Sequence, residues 1–272
     1  RKLLLPIIPP HDSYVEPFAG GASVFFAKNK VHFNWLNDLD EELINCLLHI
    51  RDHCEDLIGF LKGLPASKEL HSYYKNEFRP SNDLERAGRW YYLNRTSYSG
   101  IMKKENCYWG YGDKYSMRPE NWPRHLRKCS SKLQGVRITS LDFREVIEST
   151  PEGSFLFLDP PYFNRDQDKF YNHTFNEEDH YDLAKILYDN RNRFRYLLTY
   201  DNCPEIKELY NWTYIVEAEW YYTINRTDDQ TGATNEKGKR YKGQELLITN
   251  YEHKNYIKQQ LDIFKLIENK TK

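Results

Sequence analysis

Ser13-Tyr-Val-Glu-Pro-Phe-Ala-Gly-Gly-Ala-Ser-Val-Phe-Phe-Ala-Lys28, continued by Val31-His-Phe-Asn-Trp-Leu-Asn-Asp38, decides the fold. Residues 13–16 read as a short strand, broken by Pro17 and by Gly20-Gly21. A helix is expected from Ala22 or Ser23 to Lys28. Residues 31–36 alternate apolar with polar or small residues and read as a second strand, ended by Asn37-Asp38. From 41 to 61, Leu43, Leu47, Ile50, Leu57 and Leu61 recur at helical spacing. Strand, turn, helix, strand is how a doubly wound sheet begins.

Further along, strand signals fade between about 65 and 133, where helical stretches alternate with Gly, Pro and Asn breaks. They return at 136–139 and at Phe155-Leu-Phe-Leu158, a continuous apolar run suited to a central strand covered on both faces. A helix over 177–192, a strand over 196–199 and a short helix from Pro204 follow. Late strands at 214–218 and 245–249 flank a polar loop over 225–243, and 253–266 closes the chain as an amphipathic helix. The expected architecture is an α/β core, residues 1–62 and 134–272, with a mostly helical lobe, 63–133, inserted in it.

A chain of 272 residues accommodates such a core with its insertion. The five cysteines form no CxxC pair, which points to a reducing compartment without disulfides or a zinc ribbon. The apolar run 3–8 is too short for a signal peptide or a membrane span, so a cytoplasmic protein without membrane association is expected. Cys46, His49 and His53 share one face of the 41–61 helix but lack a fourth ligand at a fitting spacing, and no metal site is expected.

The formal net charge is −1, yet between Arg86 and Lys132 eleven basic residues face three acidic ones, with nine aromatics interleaved. Basic side chains neutralise phosphates, and aromatic rings stack on or wedge between bases. This segment is the expected nucleic-acid surface.

Two motifs carry the chemistry. Glu16-Pro-Phe-Ala-Gly-Gly21 lies between a strand and a helix, where glycines let backbone approach a ligand. Asp38 ends the next strand, placed to accept hydrogen bonds from ribose hydroxyls. Together they suggest a nucleoside-containing cofactor. Asp159-Pro-Pro-Tyr162 follows the most apolar strand. Its prolines stiffen the loop and lack N–H groups, leaving a carboxylate and carbonyls as acceptors for an amino group. Tyr162 offers a flat face for an extruded base.

These motifs, with Tyr92-Leu-Asn-Arg-Thr-Ser-Tyr-Ser-Gly100 and Asp142-Phe143, resemble the Dam-like, D12 class of N6-adenine-specific DNA methyltransferases. The resemblance covers most of the chain, including the order of motifs. It implies a Rossmann-like S-adenosylmethionine-dependent core and methyl transfer to N6 of an adenine flipped from double-stranded DNA. Phe18, Ala19 and Gly20 would line the cofactor pocket. Asp38 would take the ribose, Asp142 and the Phe143 backbone the cofactor adenine. Asp159 and the Pro160 carbonyl would accept from the target amino group, with Tyr162 stacking on the base. No metal or covalent intermediate is implied. Arg95, Tyr98, Ser99, Lys103, Arg124 and Arg127 would contact DNA, Tyr98 and Ser99 as wedges. A cognate restriction endonuclease, a monomer or weak dimer, and a nucleoid-associated place in a prokaryote or phage-infected cell belong to the same expectation.

Two features depart from the family pattern. Members open with an aromatic residue and Gly-Gly-Lys just ahead of Leu-Leu, and here that element is expected to be truncated before Leu3-Leu4. Lys103-Lys104 stands where readers of GATC resemble one another in carrying arginine, so GATC is not implied. Among rivals, N4-cytosine or protein-glutamine methylation more often shows Ser or Asn ahead of Pro-Pro-Tyr, where this chain has Asp159. A binding protein without activity would be expected to have lost the glycine loop or Asp159.

Overall fold

In the computed structural model, residues 3–112, 114, 116–163, 175–221 and 242–252 are described. Their strands form one seven-stranded sheet: β1 (Ser13–Glu16), β2 (Phe33–Asn37), β3 (Arg137–Thr139), β4 (Phe155–Leu158), β5 (Arg195–Asp201), β6 (Tyr214–Tyr221) and β7 (Lys242–Thr249). The order is β3-β2-β1-β4-β5-β7-β6. The first five strands in that order pair in parallel, while β7 runs antiparallel to both its neighbours. The chain moves outward from β1 to β3, then returns to the other side of β1 with β4. Strand order therefore reverses between β1 and β4, the switch point where open α/β sheets hold ligands.

The two faces of the sheet are set by the alternation of side chains. Tyr14, Leu36, Phe155, Phe157, Leu197 and Leu247 point into one apolar cluster, and Val15, Trp35, Leu156, Leu158, Leu198 and Ile248 into the other. The second cluster is covered by α7 (Phe143–Glu148), α8 (Glu177–Asp189) and α9 (Pro204–Leu209). The first is covered by α1 (Ser23–Ala27), α2 (Glu41–Asp52) and α3 (Cys54–Leu61). It continues without a break into α4 (Lys68–Asn76), α5 (Asp83–Thr96) and α6 (Trp122–Leu133). Every regular element described between β2 and β3 is helical.

Several boundaries differ from expectation, for local reasons. The second strand begins at Phe33 because the Asn34 side chain folds back on Val31, accepting from its N–H at 3.3 Å and donating to its carbonyl at 2.6 Å. The single helix expected over 41–61 is two helices, broken at His53 (φ −131°, ψ 40°). Glu55 and Asp56, in the first turn of α3 just beyond the break, suit a new N-terminus. The break removes His53 from the face it was expected to share with Cys46, which is fully buried. The helix after Asn176 stops at Asp189, where Asn190 caps it, and β5, β6 and β7 are longer than expected. The expected helix over 253–266 and most of the loop over 225–243 lie outside the described residues. Among those residues, no helix is long and apolar enough to cross a membrane.

Candidate active site

One open cleft of about 1040 Å³ lies beyond the C-terminal ends of β1, β2, β3 and β4. Phe18, Ala19, Gly20, Asp38, Asp142, Phe143, Asp159 and Tyr162 all line it, although they come from four separate segments. On the opposite wall α5 and α6 contribute Arg95, Lys128 and Lys132, joined by Ser99 from the turn after α5. Pro160 is buried beneath the lining, where its neighbour Pro161 is exposed to the cleft.

The loop after β1 is tied to the turn after β2. Gly20, at a φ of 47°, donates its N–H to Asp38 Oδ2 at 2.8 Å, and Asp40 N–H donates to Oδ1 at 3.0 Å. The buried Asn37 side chain extends this tie to a third loop. Its amide donates to the carbonyls of Pro17 and Leu141 at 3.0 and 2.9 Å. Its oxygen accepts from Leu141 N–H and from the Thr139 hydroxyl at 2.9 and 2.7 Å. Asp142 then caps α7, accepting from Arg144 N–H at 2.8 Å. Burial pulls the Arg144 guanidinium down, but ion pairs with Asp179, Asp182 and Asp142 outweigh it and hold the charge firmly. The same guanidinium sits 4.3 Å from the centre of the Phe143 ring. Phe143, Phe18 and Phe175 form a three-ring cluster with centroids 5.4–5.7 Å apart.

At the end of β4, the Thr199 hydroxyl of β5 donates to Asp159 Oδ1 at 2.7 Å. The turn that follows is anchored by Phe163 N–H donating to Asp201 Oδ1 at 3.1 Å. Tyr162 lies 6.2 Å from Tyr200, whose hydroxyl meets Nδ1 of the buried His180 at 2.5 Å. Burial pushes His180 down to about 4, against the pull of Asp201 and Asp179, so its ring is neutral near pH 7. Beneath the cleft, Glu16 is 1% exposed, and its Oε1 accepts from the Tyr14 hydroxyl at 2.6 Å and from Phe25 N–H at 2.8 Å. Burial pushes Glu16 up to about 7, and the nearby Asp159 charge adds to that effect. Thr199, Phe175 and Arg144 carry no motif signal in the sequence, and Glu16 opens the glycine motif without its burial being legible there. Asn37 was visible there only as the end of a strand.

A family model described as D12 class N6 adenine-specific DNA methyltransferase matches residues 2–224. The chain belongs to this family. Within the D12 class it is 27% identical to the Type II methyltransferase M1.LlaDCHI of Lactococcus lactis subsp. cremoris, covering 92% of both chains. It is also 27% identical to the Type II methyltransferase M.CviBI of Paramecium bursaria Chlorella virus NC1A, over 81% of this chain and 85% of that one. Similarity to the DNA N-6-adenine-methyltransferase of Escherichia phage P1 is 28% over 75% of this chain, but over only 28% of the phage protein.

Of the side chains of this D12 enzyme that were expected at DNA, Arg95 and Ser99 line the cleft, and Tyr98, Lys103, Arg124 and Arg127 do not. Lys103 is half-buried in the segment after the Tyr98–Gly100 turn. Arg124 and Arg127 are exposed on α6, and Arg127 already forms a two-pronged ion pair with Glu55 at 2.7 and 2.8 Å. Arg95 leans into the cleft, with its Nη2 donating to Asn94 Oδ1 at 3.1 Å.

Proposed function

We propose that this enzyme transfers a methyl group from S-adenosylmethionine to N6 of an adenine flipped out of double-stranded DNA. The observation that carries the reading is the setting of Asp159. Its carboxylate is exposed in the cleft at the switch point, oriented by Thr199, and followed by two residues with no N–H to donate. An amino group entering there meets an acceptor held in place.

The residues at hand suit the cofactor. At Gly21, whose φ is ordinary, a Cβ would meet no heavy atom within 4 Å, so nothing in the fold itself calls for glycine. Backbone left open beside Phe18, Phe143 and Phe175 leaves room for a flat ligand. Asp38 would accept from ribose hydroxyls and Asp142 from an adenine amino group. S-adenosylmethionine would supply the methyl as an electrophile. Asp159 and the Pro160 carbonyl would accept from the target N6 and stabilise the positive charge that develops on it, with Tyr162 stacking on the base. Residues 63–133 would be the recognition lobe, with Arg95, Tyr98, Ser99, Lys103, Arg124 and Arg127 toward DNA, and the rest the catalytic core. The Type II relatives support a cognate restriction endonuclease acting at the same site, with this chain working as a monomer or weak dimer.

Asp159→Ala tests the reading. The contact strengthens as charge develops, so its loss should lower single-turnover methylation at least ~10²-fold while duplex affinity is kept. Methylation within a few-fold of wild type would reject the role of Asp159.

A further inference from the structure

The turn Tyr98–Gly100 is built in a conformation that one of its residues, Ser99, does not favour. Ser99 has a φ of 53° and Gly100 a φ of 68°, and the left-handed region is unfavourable for serine. Such a conformation persists where its surroundings enforce it. Two features on separate segments do so.

The first is His71 of α4, which is 3% exposed. Its Nε2 donates to the Cys107 carbonyl at 3.2 Å, and its Nδ1 meets the Thr96 hydroxyl, shared with the Tyr92 carbonyl, at 2.8 Å. One ring thus fastens the end of α5, where the turn departs, to the segment that returns from it. The second is the packing of the returning segment, which bridges back to Ser97 through Trp109. Tyr98 N–H donates to the Tyr108 carbonyl at 2.8 Å, and Gly110 N–H to the Thr96 carbonyl at 2.9 Å. Ser97 Oγ lies 2.9 Å from the buried Cys107 Sγ. Gly110 presses so closely that a Cβ there would stand 2.2 Å from Tyr98 Cα and 2.4 Å from its nitrogen. Real Cβ atoms do not approach backbone that closely, so any other residue at 110 must displace Tyr98.

We propose that His71 and Gly110 are positioning residues for target recognition, holding the Tyr98–Gly100 turn in its DNA-ready shape before DNA arrives. This rests on the reading of the lobe as the DNA-docking surface. A turn fixed in advance loses less freedom on binding than one ordered by the duplex, and a wedge must be placed to within about an ångström to act. Neither His71 nor Gly110 lines the cleft, so cofactor binding offers an independent control.

The test uses the full chain. Wild type first methylates plasmid DNA from a methylation-free host, and mapping the modified adenines defines the site. Duplexes carrying that site, or single-base variants of it, are then compared for Gly110→Ala, His71→Ala and His71→Gln. Fluorescence of 2-aminopurine at the target position reports base extrusion, and calorimetry with S-adenosylmethionine reports an intact core. Gly110 is exposed, so Gly110→Ala removes no buried packing. It should bind cofactor like wild type, lose about a hundredfold in kcat/KM with the extrusion signal, and discriminate less between sites. His71→Ala should behave similarly. His71→Gln retains a donor that reaches the Cys107 carbonyl and should restore most of the loss. Wild-type kcat/KM, extrusion and discrimination in Gly110→Ala would overturn the proposal, as would the same result in a His71→Ala that binds cofactor normally. If His71→Ala does not fold, Gly110→Ala and His71→Gln decide. Wild type that methylates no DNA would overturn the underlying reading instead, and this inference with it.

Discussion

Glu16→Gln should leave stability near pH 4 almost unchanged and raise it at pH 8. The Glu16 carboxyl is almost wholly buried, and both hydrogen bonds from Tyr14 and Phe25 fall on the same oxygen. Burial, reinforced by the charge of Asp159, lifts the carboxyl from 4.5 to about 7. Between those values the unfolded chain has released the proton and the folded chain still holds it. The stability present below 4.5 is therefore lost progressively as pH rises to about 7, and the loss levels off above that. A gap of that size corresponds to about 3 kcal/mol. Glutamine keeps an oxygen for both donors and cannot ionise, so the variant should escape the loss. Urea unfolding of both proteins at several values from pH 4 to 8 provides the assay. The half-buried His11 and the buried His71 and His180 titrate in both, so the difference between the two profiles isolates position 16. A difference that does not change with pH would refute the reasoning. A neutral Glu16 leaves Asp159 as the one negative charge of the pair, instead of two repelling carboxylates.

Asp38→Ala should weaken S-adenosylmethionine binding by roughly 1–3 kcal/mol by calorimetry, and unchanged affinity would reduce Asp38 to a tie between loops. Duplex affinity should fall steeply with salt if the lobe neutralises phosphates, and a flat response would reject it as the docking surface. Lys103→Ala should relax preference at one base position, whereas equal losses across all sites would assign Lys103 to the backbone.

How far the sequence carried the reading differs from element to element. The glycine loop, Asp38 and Asp159-Pro-Pro-Tyr162 were legible because each sits at a strand end, where chain direction and residue type suffice to place it, whereas Asp142 came only from the family resemblance. The strand Phe155–Leu158 was legible to the residue because a doubly covered strand is apolar throughout. The break at His53 was not, since apolar spacing runs on through it and no Gly or Pro marks it. What Thr199 and Glu16 bond to was hidden for another reason. Their roles depend on partners 40 and 9 residues away in sequence, which only the folded sheet brings together. Basic charge marked residues 86–132 as one surface, but charge alone could not separate Arg95, which leans into the cleft, from Arg127, which is engaged with Glu55.

One amide, that of Asn37, joins the tips of three strands. Its carbonyl and NH₂ reach Pro17, Thr139 and Leu141, so the segments bearing Phe18, Asp38 and Asp142 share a single fastening. Inheritance at these tips is therefore collective. A loop borrowed from a relative arrives without the backbone angles its two companions were shaped around, and the misfit passes through Asn37 to all three. Chimeras among these enzymes should tolerate exchange of the three tips as a set better than exchange of any one of them, and evolutionary drift at one should be answered at the others.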